Sequence, residues 1–187
     1  MYGAMMIAGL DLAANPRRCS GYASMDLNER AISNVKCLYD DENILSEMLK
    51  DKVKLVAIDA PLSPEPTFRD VDRRAIRGGY RVLPPTLGAM RMLVARAWKL
   101  YEALSIKGVK VIETHPKSAL KASGEESVEA LLSKMGIRLD ADNSVLLVKD
   151  LRDAIISLVV AYCYQSRTRL MEIKGKDGVI YLIGAIP

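Results

Sequence analysis

The hydrophobic positions of this chain fall into short runs, and three of those runs stop on an acid. Met5-Met6-Ile7-Ala8-Gly9-Leu10 closes on Asp11, Val53-Lys54-Leu55-Val56-Ala57-Ile58 on Asp59, and Val109-Lys110-Val111-Ile112 on Glu113. Runs this short, bounded by polar residues, read as strands buried on both faces. If the three strands lie side by side and parallel, their acids meet at one rim. Ligand sites of open α/β sheets lie just outside the carboxyl ends of the strands. The pattern therefore predicts a three-acid cluster at one edge of a sheet.

The remaining pattern places other elements around these strands. Cys19–Met25 and Ala31–Leu38 read as two strands of a hairpin joined by Asp26–Arg30. Asp40 or Asp41 can cap a helix from about Glu42 to Lys50, with Ile44, Leu45, Met48 and Leu49 on one face. Prolines enforce a loop over Pro61–Pro66, and Thr86 can cap a long helix through Leu104. Leu87, Met90, Val94, Ala97, Trp98 and Tyr101 recur there at helical spacing, so Trp98 reads as core. Glu125–Met135 reads as a helix, 136–143 as a loop, and Val179–Ile183 as a final strand. His115 reads as a loop residue beyond the third acid-tipped strand, with a catalytic role as the alternative.

The helix predicted over about Val148–Arg167 is apolar nearly all round, which marks it as buried. Its one polar stripe is Asp150, Asp153 and Ser157, which share a face. Acids on a buried helix are costly unless paired, hydrated or bound to metal. A favourable helix dipole accounts well for Asp150 at the N-terminus and less well for Asp153.

Composition narrows the class. At 187 residues the chain suits one domain, 1–187, with an Arg-rich helical insertion over about 64–106. Half the residues are hydrophobic, yet no run is long enough to span a bilayer, so no membrane is expected. The first residues lack the basic region of a signal peptide. Cys19, Cys37 and Cys163 have no metal-ligand spacing and read as reduced cysteines of a cytoplasmic protein. The net charge of +4 does not by itself imply nucleic acid, but its distribution is uneven. Arg69, Arg73, Arg74, Arg77, Arg81, Arg91 and Arg96 crowd one segment, opposed by Asp70 and Asp72. Such a cluster is either a phosphate-binding surface or a solvated face.

An ordered set of motifs is more specific than any one of them. Gly9-Leu10-Asp11, Ala57-Ile58-Asp59-Ala60-Pro61-Leu62, Arg69 with Asp72-Arg73, Pro84-Pro85, Ile112-Glu113-Thr114-His115-Pro116 and Asp150-Leu151-Arg152-Asp153-Ala154 resemble, in the same order, the domain of unknown function 429 family. That family is regarded as nucleases with a ribonuclease H-like, RuvC-related fold. The chain departs from it in having Leu12-Ala13-Ala14-Asn15-Pro16 after the first acid, where the family carries a glycine-rich turn. The resemblance implies an α/β ribonuclease H-like fold, with a mixed central sheet flanked by helices.

On this reading the expected function is a nuclease that hydrolyses phosphodiester bonds with two Mg²⁺ or Mn²⁺ ions about 4 Å apart. Carboxylates without histidine or cysteine partners suit hard ions better than zinc. Asp11 would bridge, Asp59 or Glu113 and Asp153 would complete the sites, and Asp150 would stand in reserve. Arg17, Arg18, Arg69, Arg73 and Arg77 would hold phosphates of DNA or RNA without reading bases. A homodimer is compatible with this. The alternatives are a non-catalytic nucleic-acid- or protein-binding module on the same fold and, third, an actin-like phosphotransferase or ATPase, a class that ordinarily closes two such domains over its nucleotide.

Overall fold

The computed structural model describes residues 5–186. Met1–Ala4, where the absence of a leader was read, lie outside the described residues. The acid-tipped runs form strands β1 (Met6–Asp11), β4 (Val53–Asp59) and β5 (Lys110–Thr114). The hairpin forms β2 (Ser20–Asp26) and β3 (Ala31–Leu38), and the short strand β6 is Arg138–Leu139. The chain ends in β7 (Leu170–Lys174) and β8 (Val179–Ile183). Together they make an eight-stranded mixed sheet in the order β6-β3-β2-β1-β4-β5-β8-β7. β1 is parallel to β4 and β4 to β5, as the repeated pattern requires, while the β1–β2–β3 pairings are antiparallel.

Helices cover both faces. On one lie α1 (Asp41–Lys50) and α3 (Gly88–Ile106), packed on Ala8, Leu10, Val56, Ile58 and Val111. On the other lie α4 (Pro116–Ser123), α5 (Val128–Met135) and α6 (Lys149–Ser166), packed on Ile7, Leu55, Ala57 and Ile112. The helix α2 (Asp70–Arg77) sits against β7, with Val71 and Ala75 joining this second core.

The helix α6 crosses the sheet at unusually short range because two glycines admit it. A Cβ on Gly9 would lie 2.1 Å from the Ala154 carbonyl oxygen, and one on Gly21 would lie 1.9 Å from that of Asp150. Real Cβ atoms do not approach that closely, so any side chain at either position would lift the helix. The notch explains why α6 is apolar nearly all round, and it brings the first turn of α6 beside the end of β1.

Several sequence expectations need correction. Cys19 and Cys37 are not reduced but joined in a disulfide, with Cα atoms 5.0 Å apart. The β2–β3 hairpin brings together residues 18 apart in sequence, a proximity that spacing alone does not reveal. The cysteine pattern therefore carries no argument for a reducing compartment. Cys163 alone is free; burial pushes its thiol up to about 12. His115, read as a loop residue, is the N-cap of α4, and Pro116 opens the first turn of that helix. The predicted loop 136–143 contains β6, a two-residue edge strand too short to show a pattern. Trp98 is half-buried rather than core. Among the described residues no helix is long and apolar enough to cross a membrane.

Candidate active site

Strand alternation decides which acids meet. Successive side chains of a strand point to opposite faces. Asp11 shares its face with Ile7 and Gly9, and Asp59 shares its face with Leu55 and Ala57, so both turn toward α6. Asp153 lies one helical turn into α6, buried, and faces them. Asp150, on the same stripe, is more exposed. The structure thus brings together Asp11, Asp59, Asp153 and Asp150.

Glu113 lines the same cavity as Asp11 and Asp59 but leaves its strand on the opposite face and has other partners. In register with β4, Asp59 lies beside Thr114, whereas Glu113 lies beside Ile58, whose side chain packs with α1 and α3. The third run ends one residue out of phase with the others. The Glu113 carboxylate is instead held by Arg69, through Nη1 to Oε2 at 2.7 Å and Nη2 to Oε1 at 2.5 Å, and by the Leu62 backbone N–H at 2.8 Å. Arg69 also reaches Asp72, with Nη2 to Oδ1 at 2.7 Å. Burial raises the Glu113 pKa, opposed by Arg69. Arg69, expected to bind phosphate, is buried and spends its guanidinium on these two acids. Arg96 is similarly withdrawn: it ties α3 to Asp41 and to the Ala13 and Tyr39 carbonyls. Arg17, Arg18, Arg73 and Arg77 are exposed.

The cluster is short of positive charge. Burial, ahead of the neighbouring Lys149, Asp153 and Asp150, moves the Asp11 pKa to about 7. Asp59 is raised well above the ordinary carboxylate range by burial first and then by Asp11 and Asp153. Against this stands Lys149, which sequence reasoning did not single out although it precedes Asp153 by one turn. Its Nζ lies 2.9 Å from Asp153 and 3.7 Å from both Asp11 and Asp150. Among the described residues no three His, Cys, Asp or Glu side chains form a ready-made metal cage. The ammonium stands at the common approach of three of the carboxylates. Among the described interactions the Asp59 carboxylate has neither hydrogen bond nor ion pair.

Two cavities meet at Asp11. One, of about 200 Å³, is lined by Asp59, Glu113 and His115 below and by Val82, Leu83 and Met90 above. The other, of about 500 Å³, is lined by Asn15, Arg18, Lys149 and Asp150. His115 makes a hydrogen bond through Nδ1 with Ser118 Oγ, and burial lowers its pKa.

No protein-family model and no curated protein matches the chain. By structure it is similar to RuvC of Thermus thermophilus, both by itself and in complex with a Holliday junction substrate. Each superposition has a TM-score of 0.54 at 15% identity and covers 88% of this chain and 98% of RuvC. The fold is ribonuclease H-like. In this ribonuclease H-like fold the acids stand at the carboxyl ends of β1 and β4 and at the start of α6, around the point where the two cavities join.

Proposed function

We propose that the protein is a divalent-metal-dependent nuclease acting at Asp11, Asp59 and Asp153. The observation that carries the reading is a group of carboxylates from three separate elements, beside two open cavities that share Asp11, with Lys149 as the cation paired with them among the described residues. The donor set is all oxygen, and Asp59 has no protein partner among the described interactions, so the residues suit Mg²⁺ or Mn²⁺. Asp11, Asp59 and Asp153 would hold the ions, with Asp150 at the mouth. Bound there, they would supply Lewis-acid stabilisation of phosphate charge and an activated water. Arg18 lines the larger cavity and, with the exposed Arg17 beside it in sequence, would hold a phosphodiester backbone by charge alone. A nucleic-acid partner is further supported by the Holliday junction bound to the RuvC neighbour. The whole chain would act as one domain, and Glu113, paired with Arg69, would support the rim rather than bind metal.

A second reading rests on Lys149. An internal ammonium among three carboxylates also describes a structural cluster in a binding module that cuts nothing. Cleavage of single-stranded, duplex and branched DNA and RNA with Mg²⁺ or Mn²⁺ separates the two. The nuclease reading expects cleavage that Asp153→Asn abolishes, and a metal-dependent rise in melting temperature that Lys149→Met preserves or enlarges. No cleavage of any substrate, with no metal response in either protein, favours the binding module.

A further inference from the structure

A third cavity, of about 220 Å³, opens where β5 and β8 diverge. The two strands pair at Glu113↔Ile180 and Thr114↔Tyr181, and among the described residues the β8-facing edge of Lys110–Ile112 lies outside the ladder. Unpaired backbone donors and acceptors therefore face a cleft. One wall of that cleft is Trp98 and Tyr101 from α3, stacked with ring centroids 4.9 Å apart and planes inclined by 29°. Both are half-buried, and the exposed Lys110 stands at the mouth. Glu113 lines this cleft and also the cavity that contains Asp11 and Asp59, so the two are neighbours across the Arg69–Glu113 pair.

We infer that this cleft receives one unpaired nucleobase of a nucleic-acid strand whose backbone passes the acid rim. Its volume is below that of typical drug-sized pockets, and it suits a single flat ring system. Every base offers a π-face to an aromatic platform, and stacking of this kind is sequence-tolerant. The free edge of β5 meets the polar rim of a base, which an apolar side chain would leave unsatisfied. Lys110 places a positive charge where the phosphate next to that base would lie. The inference rests on the nucleic-acid part of the reading above but not on cleavage. It narrows the substrate to strands with unpaired nucleotides.

Trp98 is the chain's one tryptophan, so its fluorescence reports on this cleft alone. The probes are a short oligothymidylate and oligouridylate, an abasic strand of equal length, and a fully paired duplex, each titrated in EDTA while anisotropy records total binding. Saturable quenching by the oligonucleotides, absent with the abasic strand and the duplex, is expected. Tyr101→Ala should weaken oligonucleotide binding by about 5- to 150-fold, the equivalent of about 1–3 kcal/mol per stacked base. Tyr101→Phe, which retains the ring, should bind as the wild type does and shows that the position tolerates substitution. Binding by anisotropy without quenching, or equal quenching by the abasic strand, overturns the proposal. Quenching without cleavage under Mg²⁺ or Mn²⁺ would overturn the nuclease reading and leave this inference standing; cleavage without quenching would do the reverse.

Discussion

Arg69→Met tests whether the Arg69 cluster is structural. Arg69 is 4% exposed and makes four side-chain hydrogen bonds, two to Asp72 and two to Glu113. The Asp72 and Glu113 side chains are 0% and 7% exposed, so neither finds water in exchange. Removing one partner of a buried pair typically costs about 3–5 kcal/mol, because the other charge is left uncompensated. For a chain of this size each kcal/mol corresponds to about 2–4 °C, so a fall of about 6–20 °C in melting temperature is expected. The loss should depend on pH. Without the guanidinium that lowers it, burial and the neighbouring Asp72 raise the Glu113 pKa further in the folded state. Stability from a raised carboxylate is present below its unfolded pKa and lost as pH rises through the folded value. Arg69→Met should therefore be less impaired at pH 5 than at pH 8, and adding Glu113→Gln should recover part of the loss at pH 8. Thermal melts of the four proteins of this cycle at both pH values decide it. A cost below about 1 kcal/mol at pH 8, or a nucleic-acid affinity that falls while stability holds, would refute the structural role and return Arg69 to phosphate binding.

The acid rim should behave in the opposite way. With the Asp11 pKa raised to about 7, its contribution to apo stability is present at low pH and lost as pH rises through 7. Melts should show Asp11→Asn as stable as the wild type or more so at pH 8, with the wild-type decline from pH 5 to 8 flattened. Mg²⁺ or Mn²⁺ should raise the wild-type melting temperature by mass action and do much less for Asp11→Asn; equal responses would remove Asp11 from the metal site. Gly9→Ala should cost at least about 1–3 kcal/mol in urea unfolding and blunt the metal response, because the added methyl displaces α6 and Asp153 with it. Replacing Arg73 and Arg77 with alanine should reduce the salt dependence of nucleic-acid binding by about one unit of slope per lost phosphate contact. An unchanged slope would make that surface a solvated face.

The strands, the hairpin and α6 were legible because each buries a continuous or periodic apolar surface, and that periodicity is written locally. Asp11, Asp59 and Asp153 could be singled out for the same reason, as polar residues where such surfaces end or are interrupted. The parallel order of β1, β4 and β5 followed from the pattern as an expectation, and the pairing bears it out. What only the tertiary structure decided concerns phase and partnership. Glu113 ends its run as the other acids do, but it stands one residue out of step in register, and a one-residue shift reverses the face of a strand. Arg69 and Arg96 look like their exposed neighbours in sequence, yet Glu113 for the one, and Asp41 and two carbonyls for the other, come from 44 to 83 residues away along the chain and draw them inside. Cys19 and Cys37 meet because a hairpin closes, and Trp98 lines a cleft because β8 parts from β5. Hydrophobic period is a property of neighbours along the chain, whereas register, ion pairing and cavity walls depend on residues that only folding brings together.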